Sequence, residues 1–455
     1  MVVSNPSGIP VCNVLVAFLL RENRNSFTFM VKNQFEYRYL QKFRKDTLVK
    51  SAHLKIVNDP IYGFIQIPFE SVFRLIEHPS FQRLRRIRQL GMTHLVYPGA
   101  HHTRFHHALG AMYLMGEAIE ILRSKGHEIT PAEAEAVTIA ILLHDIGHGP
   151  FSHALEDSIV PGIKHEEISA LFMDALNKDF NGELSLAIEI FRDRYPKRFL
   201  HQLVSSQLDV DRLDYLTRDS FFTGVSEGVI SHDRIIKMLE VCNDQLAIEE
   251  KGIYSIEKFI VARRLMYWQV YLHKTVVCAE QLLINILRRA KDLRRDGRDL
   301  FATPALACFL ERVYTREDFL NDPSLLGTFS ELDDSDITTA VKQWSRHPDP
   351  ILSELCRRMM NRQLFKILLQ KEKFTDSFIA DKKAQVADMY RLNPYEVSYF
   401  VVHGALVNNA YDTRSDKINI LLKNGDVLDI ADAADTLNIK SISGPIEKYY
   451  ISFPK

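Results

Sequence analysis

Between Ile139 and Asp157 the chain reads IAILLHDIGHGPFSHALED. An apolar run suited to a buried helix ends in His144, Asp145, His148 and His153, and Glu156 and Asp157 follow at once. Buried imidazoles and carboxylates are costly unless something satisfies them. His144 and Asp145 are adjacent, so on a helix they point about 100° apart. They cannot both face one distant wall, but both can grip a single small ion at the helix end. Imidazole and carboxylate ligands suit Mn, Fe, Co, Ni or Zn. Two more ligands must come from elsewhere, and His107 in TRFHHALG and Asp211 in LDVDRLDYLTRDS are candidates. A single helical histidine is as a rule a hydrogen-bonded structural residue, and an HD dipeptide alone means little. The longer string HDIGHGPFSH concentrates polar and conformationally special residues at the end of an apolar helix, which packing alone does not account for. The residue chemistry points to a metal or catalytic site, with a hydrogen-bonded core as the alternative.

The elements that must position these residues are mostly helices. Thr130, Pro131 and Glu133 fit N-cap, N1 and N3 of a capping box. That helix runs to about Ile146 and is stopped by Gly147, Gly149 and Pro150. The spacing over 104–126 predicts a second helix, with Arg123 and Lys125 in its last turn and Gly126 beyond. Residues 53–68 read as two short β segments around Asn58-Asp59-Pro60 and Gly63. A helix follows Phe69, breaks at Pro79 and resumes to Gly91. Further helices are expected around 165–178, 183–194, 197–219, 232–240, 255–292 and 350–372. QLAIEEKGIYSI resembles a hairpin with Lys251-Gly252 in the turn, and Asn424-Gly425 is a second hairpin signal. The expected architecture is mainly α: an N-terminal extension (1–50), a helical body (51–300) and a C-terminal lobe with helical and α+β parts (301–455).

The chain has 455 residues, 46% hydrophobic and 25% charged, which is ordinary for a globular protein. A formal net charge of −1 gives no general pull on nucleic acid or membrane. Five scattered cysteines, with no CxxC pair, argue against a disulfide framework and a cysteine zinc site and fit a reducing cytoplasm. VCNVLVAFLL is too short to span a bilayer. No Lys or Arg precedes it, so it makes a poor signal peptide, and Met30 is an alternative start. The basic cluster QRLRRIRQLG reads first as a solvated helix face. Its acidic neighbours make a nucleic-acid patch the weaker reading. His101, His102 and His106 read as surface or supporting residues. The aromatics of MYWQVYLHK suit a core, with Trp268 assigned to packing.

With these segments in order, the chain resembles the HD-domain phosphohydrolases, and among them the deoxynucleoside triphosphate triphosphohydrolases. That group includes the bacterial dGTPase-like enzymes and the vertebrate sterile-alpha-motif HD protein. The matching strings are IVNDPIYGFI, FQRLRRIRQLGMTHLVYPGAHHTRFHHALG, LLHDIGHGPFSHALE, KHEEIS, LDVDRLDYLTRDS and RRLMYWQVYLHK. The resemblance implies an HD-domain helical body in which His107, His144, Asp145 and Asp211 hold one divalent transition metal, with Mg accompanying the triphosphate. It implies that His148, His153 and His165 surround the scissile α-phosphate, that His153 donates a proton to the leaving oxygen, and that Glu156 orients it. Arg104 and Arg212 would hold triphosphate oxygens. Gln89, Leu90, Tyr215 and Asp219 would surround the deoxyribose. Arg263, Tyr271, His273 and Lys274 would contact the phosphates and the base side. Lys55, Ile56, Gln82 and Arg85 resemble an allosteric nucleotide pocket at a subunit interface, with Glu77 where a relative has a guanine-reading Asp. The implied activity is hydrolysis of dNTPs, dGTP among them, to deoxynucleoside and inorganic triphosphate by water attack at the α-phosphorus. The implied setting is a cytoplasmic homo-oligomer, dimer or tetramer, with a nucleotide activator and no nucleic-acid or membrane partner. Two alternatives stand: an HD phosphohydrolase acting on another nucleotide phosphate ester, and a non-catalytic nucleotide- or nucleic-acid-binding protein. Gln89, Tyr215 and Asp219 discriminate against a phosphodiesterase, which has no need of them together.

Overall fold

The computed structural model describes residues 55–409, 411–412, 417–442 and 444–455. The expectations for residues 1–50, including VCNVLVAFLL and Met30, lie outside the described residues.

A two-stranded hairpin, β1 (Ile56–Asp59) and β2 (Gly63–Gln66), opens the described chain and turns where Asp59 and Gly63 predicted. The Asp59 carboxylate accepts from the backbone N–H groups of Ile61 and Tyr62, which fixes the turn. Helix α1 (Glu70–Glu77) buries Val72, Leu75 and Ile76. The helix expected to run on to Gly91 stops earlier. A short helix at Pro79–Gln82 passes into a 3-10 turn at Arg83–Arg86, and Ile87 is already extended.

Two central helices are buried on nearly every side, so they read as core rather than as amphipathic surface elements. They are α2 (Arg104–Ser124) and α3 (Pro131–Leu143). The predicted capping box of α3 is present: Thr130 Oγ1 accepts from Glu133 N, and the Glu133 carboxylate accepts from Thr130 N. Helix α4 (His165–Asp179) follows the glycine-rich turn. The helix expected over 197–219 is two, Arg198–Val204 and α5 (Val210–Thr223), because Asp209 caps a fresh start by accepting from Arg212 N at 2.7 Å. The helix expected over 255–292 also divides, into α6 (Ile253–Met266) and α7 (Lys274–Arg295), joined through a π-type turn at Tyr267–Tyr271. The helix expected over 350–372 ends at Met360 and gives way to a strand.

QLAIEEKGIYSI is not a hairpin about Lys251-Gly252. Strand β4 (Gln245–Glu249) pairs back onto β3 (Leu239–Cys242), and the turn is Asn243-Asp244, both in the left-handed region. Lys251-Gly252 instead leads into α6. Strands β5 (Lys366–Gln370) and β6 (Val402–Asn408) flank β9 (Ile446–Phe453) in one antiparallel sheet. Strands β7 (Asn419–Leu421) and β8 (Val427–Asp429) form the predicted Asn424-Gly425 hairpin. Strand β7 pairs in parallel with β4, so one sheet joins the body to the C-terminal segment. The fold is mainly α with three small sheets among the described residues. No described helix is long and apolar enough to cross a membrane.

Arg83 departs from the solvated-face reading of its cluster. It is fully buried and donates to the carbonyls of Ile146, His148 and Leu332 at 2.8–3.2 Å. It therefore ties the turn after α3 to the chain near residue 332. Each carbonyl left without a donor in a buried site costs about 1–3 kcal/mol. Arg83→Leu should lower unfolding stability by ~3 kcal/mol or more in urea titrations. Arg85→Leu, on the exposed face, should cost well under half of that.

Candidate functional site

The site forms where α2, α3 and α5 meet. His107 lies in the first turns of α2 and is fully buried. Its Nδ1–H donates to Asp214 Oδ2 at 2.7 Å, so Nε2 keeps its lone pair. His144 caps the end of α3 and donates Nδ1–H to the Ile141 carbonyl at 2.7 Å, which frees its Nε2 in the same way. Both Nε2 atoms are buried without a hydrogen-bond partner. They converge on Asp211 Oδ1, at 3.1 Å from His107 and 3.5 Å from His144. The ligating atoms of His107, His144 and Asp211 lie within 4.8 Å of one another. Asp145 closes the group, with Oδ1 3.4 Å from His144 Nε2 and Oδ2 3.6 Å from His107 Nε2. Two imidazoles with fixed tautomers and two carboxylates fit a divalent transition metal. Orphaned buried nitrogens are what such an ion would satisfy.

Support for this group comes from residues that the sequence reading passed over. Asp214 is gripped by Arg218 through Nε and Nη2, each at 3.0 Å, and Arg218 Nη1 reaches Asp59 Oδ2 at 2.7 Å. All three side chains are buried. Asp211, Asp214 and Arg218 stand at i, i+3 and i+7 on α5, a spacing that could have flagged them as one face. Nothing in the sequence assigns Asp59 as the far end. The close crossing of α2 and α5 requires Gly110, where an added Cβ would sit 2.0 Å from Asp214 Oδ1.

Beyond Asp145 stands a second group. His148 is buried and stacks on His165 with centroids 3.8 Å apart, and His153 stands perpendicular to both at 4.8 and 5.0 Å. Glu156 accepts from His153 Nδ1 at 3.1 Å and from His165 Nδ1 at 3.2 Å. Burial would raise the Glu156 pKa, but those hydrogen bonds outweigh it and hold the carboxyl far below its ordinary value. Burial, and then the Arg104 guanidinium, hold His148 well below the usual imidazole range, so it is neutral. His153 keeps most of its side chain exposed.

Arg104 pairs with Asp145 and donates Nε–H to Ser152 Oγ at 2.8 Å. Arg212 Nε–H donates to the Ser206 carbonyl, and its guanidinium pairs with Asp209 at 3.2 Å. Asp219 accepts from Tyr271 Oη at 2.8 Å and from His102 Nε2 at 2.7 Å. His102 is thus a buried supporting residue, stacked on Phe222, whereas His101 is exposed and His106 accepts from Thr103 N. Tyr215 lies edge-on to Tyr271. The Gln89 Oε1 atom is buried without a partner, and the neighbouring Leu90 is half-buried. Arg263 is buried near Gln207 and Tyr267. His273 caps α7, and Lys274 follows it exposed. Farther off, Gln82 Oε1 accepts from Arg85 Nε at 2.8 Å, and Lys55 lies over the Phe73 ring. Ile56 and Glu77 are exposed.

Comparison with known proteins agrees with this geometry. Residues 104–219 match the HD domain family and residues 230–300 the HD associated region. YwfO of Bacillus subtilis, described as uncharacterized, is 32% identical over 87% of this chain and 90% of its own length. A solved phosphohydrolase from Bacteroides thetaiotaomicron is 54% identical, covers 89% of this chain and all of its own, and superposes with a TM-score of 0.86. The human deoxynucleoside triphosphate triphosphohydrolase SAMHD1 is 30% identical over 52% of this chain, which spans 45% of that relative's length. The chain therefore belongs to the HD-domain phosphohydrolase superfamily and is related to its triphosphohydrolase branch.

Proposed function

We propose that this protein hydrolyses deoxynucleoside triphosphates, dGTP among them, to deoxynucleoside and inorganic triphosphate. The observation that carries the reading is one juxtaposition. Two orphaned imidazole nitrogens and the Asp211 carboxylate lie on one side of Asp145, and a carboxylate-oriented histidine group lies on the other. The kinship with named dNTP triphosphohydrolases supports the substrate class. The relationship covers about half of each of those proteins, so their whole activity is not carried over.

His107, His144, Asp145 and Asp211 would hold a single Mn, Fe, Co, Ni or Zn ion. When bound, such an ion supplies Lewis acidity toward a phosphoryl oxygen or a water molecule. The chain's own groups do the rest. Arg104, which is buried, and Arg212, which is partly exposed, are the cations that meet triphosphate oxygens, and Arg263, His273 and Lys274 add donors around them. His153 donates Nδ1–H to an ionised Glu156, which directs its Nε2 outward. In its cationic form it gives the Nε2 proton to the 5′-oxygen as the bond from α-phosphorus to that oxygen breaks and a water oxygen adds to the phosphorus, releasing a proton to solvent that restores the charge balance. His148 and His165 line the phosphate beside it. Tyr271, with its hydroxyl on Asp219, and Tyr215 form the floor under the sugar, where the unpartnered Gln89 oxygen and the edge of Leu90 limit the space for a 2′-hydroxyl. A homo-oligomer with a nucleotide activator near Lys55, Ile56, Glu77, Gln82 and Arg85 belongs to the same proposal, as does a role in setting deoxynucleotide levels.

Three measurements test it. Protein loaded separately with Mn²⁺, Mg²⁺ or Fe²⁺ is incubated with each dNTP and NTP in ¹⁸O-water. Equimolar deoxynucleoside and triphosphate are expected, with the label in the triphosphate. Pyrophosphate or single phosphate would point to another bond, and equal ribonucleotide turnover would refute the sugar site. His153→Ala should lower kcat for dGTP about 10²–10⁴-fold with metal content unchanged. Asp214→Asn should weaken Mn²⁺ binding about 10–100-fold in calorimetric titration, because it strips the charge behind His107. Unchanged affinity would remove Asp214 from the centre's support.

A further inference from the structure

The loop Pro150–His153 joins the metal group to the phosphate-facing histidines, and its backbone is strained. Phe151 and Ser152 are both left-handed, with φ of 55° and 54°. Two consecutive residues with side chains in that region persist only where the surroundings hold them. What holds them lies some 180 residues further on. Asp334 stands at the start of the helix Asp334–Trp344 and is almost fully buried. Its Oδ1 accepts the backbone N–H of Phe151 at 2.7 Å, and its Oδ2 accepts the backbone N–H of Arg88 at 3.1 Å. Ser152 Oγ donates to the Arg88 carbonyl at 2.9 Å, and the same oxygen accepts from Arg104 Nε at 2.8 Å. Asp334, Arg88, Ser152 and Phe151 thus close a ring of hydrogen bonds. Arg104 hangs from one corner of it, and His153 is the next residue along the chain.

We infer that Asp334 is a positioning residue for the reaction: its two carboxylate oxygens clamp the left-handed turn at Phe151-Ser152 against Arg88 and so set the place of the His153 imidazole. This rests on the reading of His153 as the proton donor. A carboxylate is required because both of its hydrogen-bond donors are backbone N–H groups, with the Arg88 guanidinium 3.6 Å from Oδ2. An amide in its place has one acceptor and would present N–H to N–H at the other corner. Asp333 next door makes a useful contrast, since it pairs with Arg86 and caps the same helix but does not touch the loop.

The test is a double-mutant cycle with dGTP and Mn²⁺. Asp334→Asn in the wild-type background should lower kcat at least tenfold, with KM and bound Mn²⁺ within about twofold of wild type. In a His153→Ala background the same change should cost less than threefold, because the group it positions is gone. Asp333→Asn should leave kcat within about twofold. Ser152→Ala breaks the same ring at the opposite corner and should reproduce the kcat loss if Asp334→Asn folds poorly. Hydrogen exchange at the Phe151 and Arg88 amides should quicken in Asp334→Asn. An equal loss in both backgrounds, or an unchanged kcat, would overturn the positioning role alone. No loss from His153→Ala, or no dGTP turnover by the wild type, would overturn the reading beneath it.

Discussion

Every other feature of this fold answers to one constraint. Two imidazoles and two carboxylates are held together inside a helical core, with both histidine Nε2 atoms turned inward and unpartnered. Taking such groups out of water is expensive unless charges and hydrogen bonds are closed around them. The closure on one side is a chain of hydrogen bonds and ion pairs, His107 to Asp214 to Arg218 to Asp59, which runs from the centre to the hairpin of β1 and β2. Gly110 lets α2 and α5 approach closely enough for that chain to form. On the other side Arg104 neutralises Asp145. What stays unanswered is the space between the two Nε2 atoms, which a bound cation would fill.

The second half of the site is organised by the turn that ends α3. Gly147 packs so tightly against α4 that an added Cβ would lie 2.3 Å from the His165 carbonyl. Arg83 holds the carbonyls of Ile146 and His148, and Asp334 holds Phe151. The turn is thus fixed from three directions by residues remote in sequence. Asp145 faces the metal group while His148, three residues later, stacks on His165. One short stretch therefore carries both groups: the proposed ligands on one side and the imidazoles proposed to face the phosphate on the other.

Much of this was legible in the sequence, and the reasons are local. The capping box at Thr130 and the helical run of α2 follow from nearest-neighbour chemistry, and the structure contains both; α3 itself ends at Leu143, short of the expected Ile146, with His144 as its C-cap. His107, His144, Asp145 and Asp211 are drawn together as the motif suggested. What the sequence concealed was set by tertiary partners. Arg83 looks like one more surface cation in a basic cluster, yet three distant carbonyls make it a core residue. Asp209 breaks a helix that periodicity would have carried through. His102 and Asp334 gain meaning only from Asp219 and Phe151, far away in the chain. The turn at Asn243-Asp244 lost to Lys251-Gly252 on paper because glycine is the stronger turn signal, but strand pairing decided otherwise.

The proposed chemistry depends on an ion at this centre. Crystals of the protein grown or soaked with Mn²⁺ and measured at an energy where manganese scatters anomalously would test it directly. One strong peak is expected at about 2.0–2.3 Å from Nε2 of both His107 and His144 and from carboxylate oxygens of Asp145 and Asp211. A peak seated instead among His148, His153 and His165, or none at occupancy matching the metal bound in solution, would contradict it.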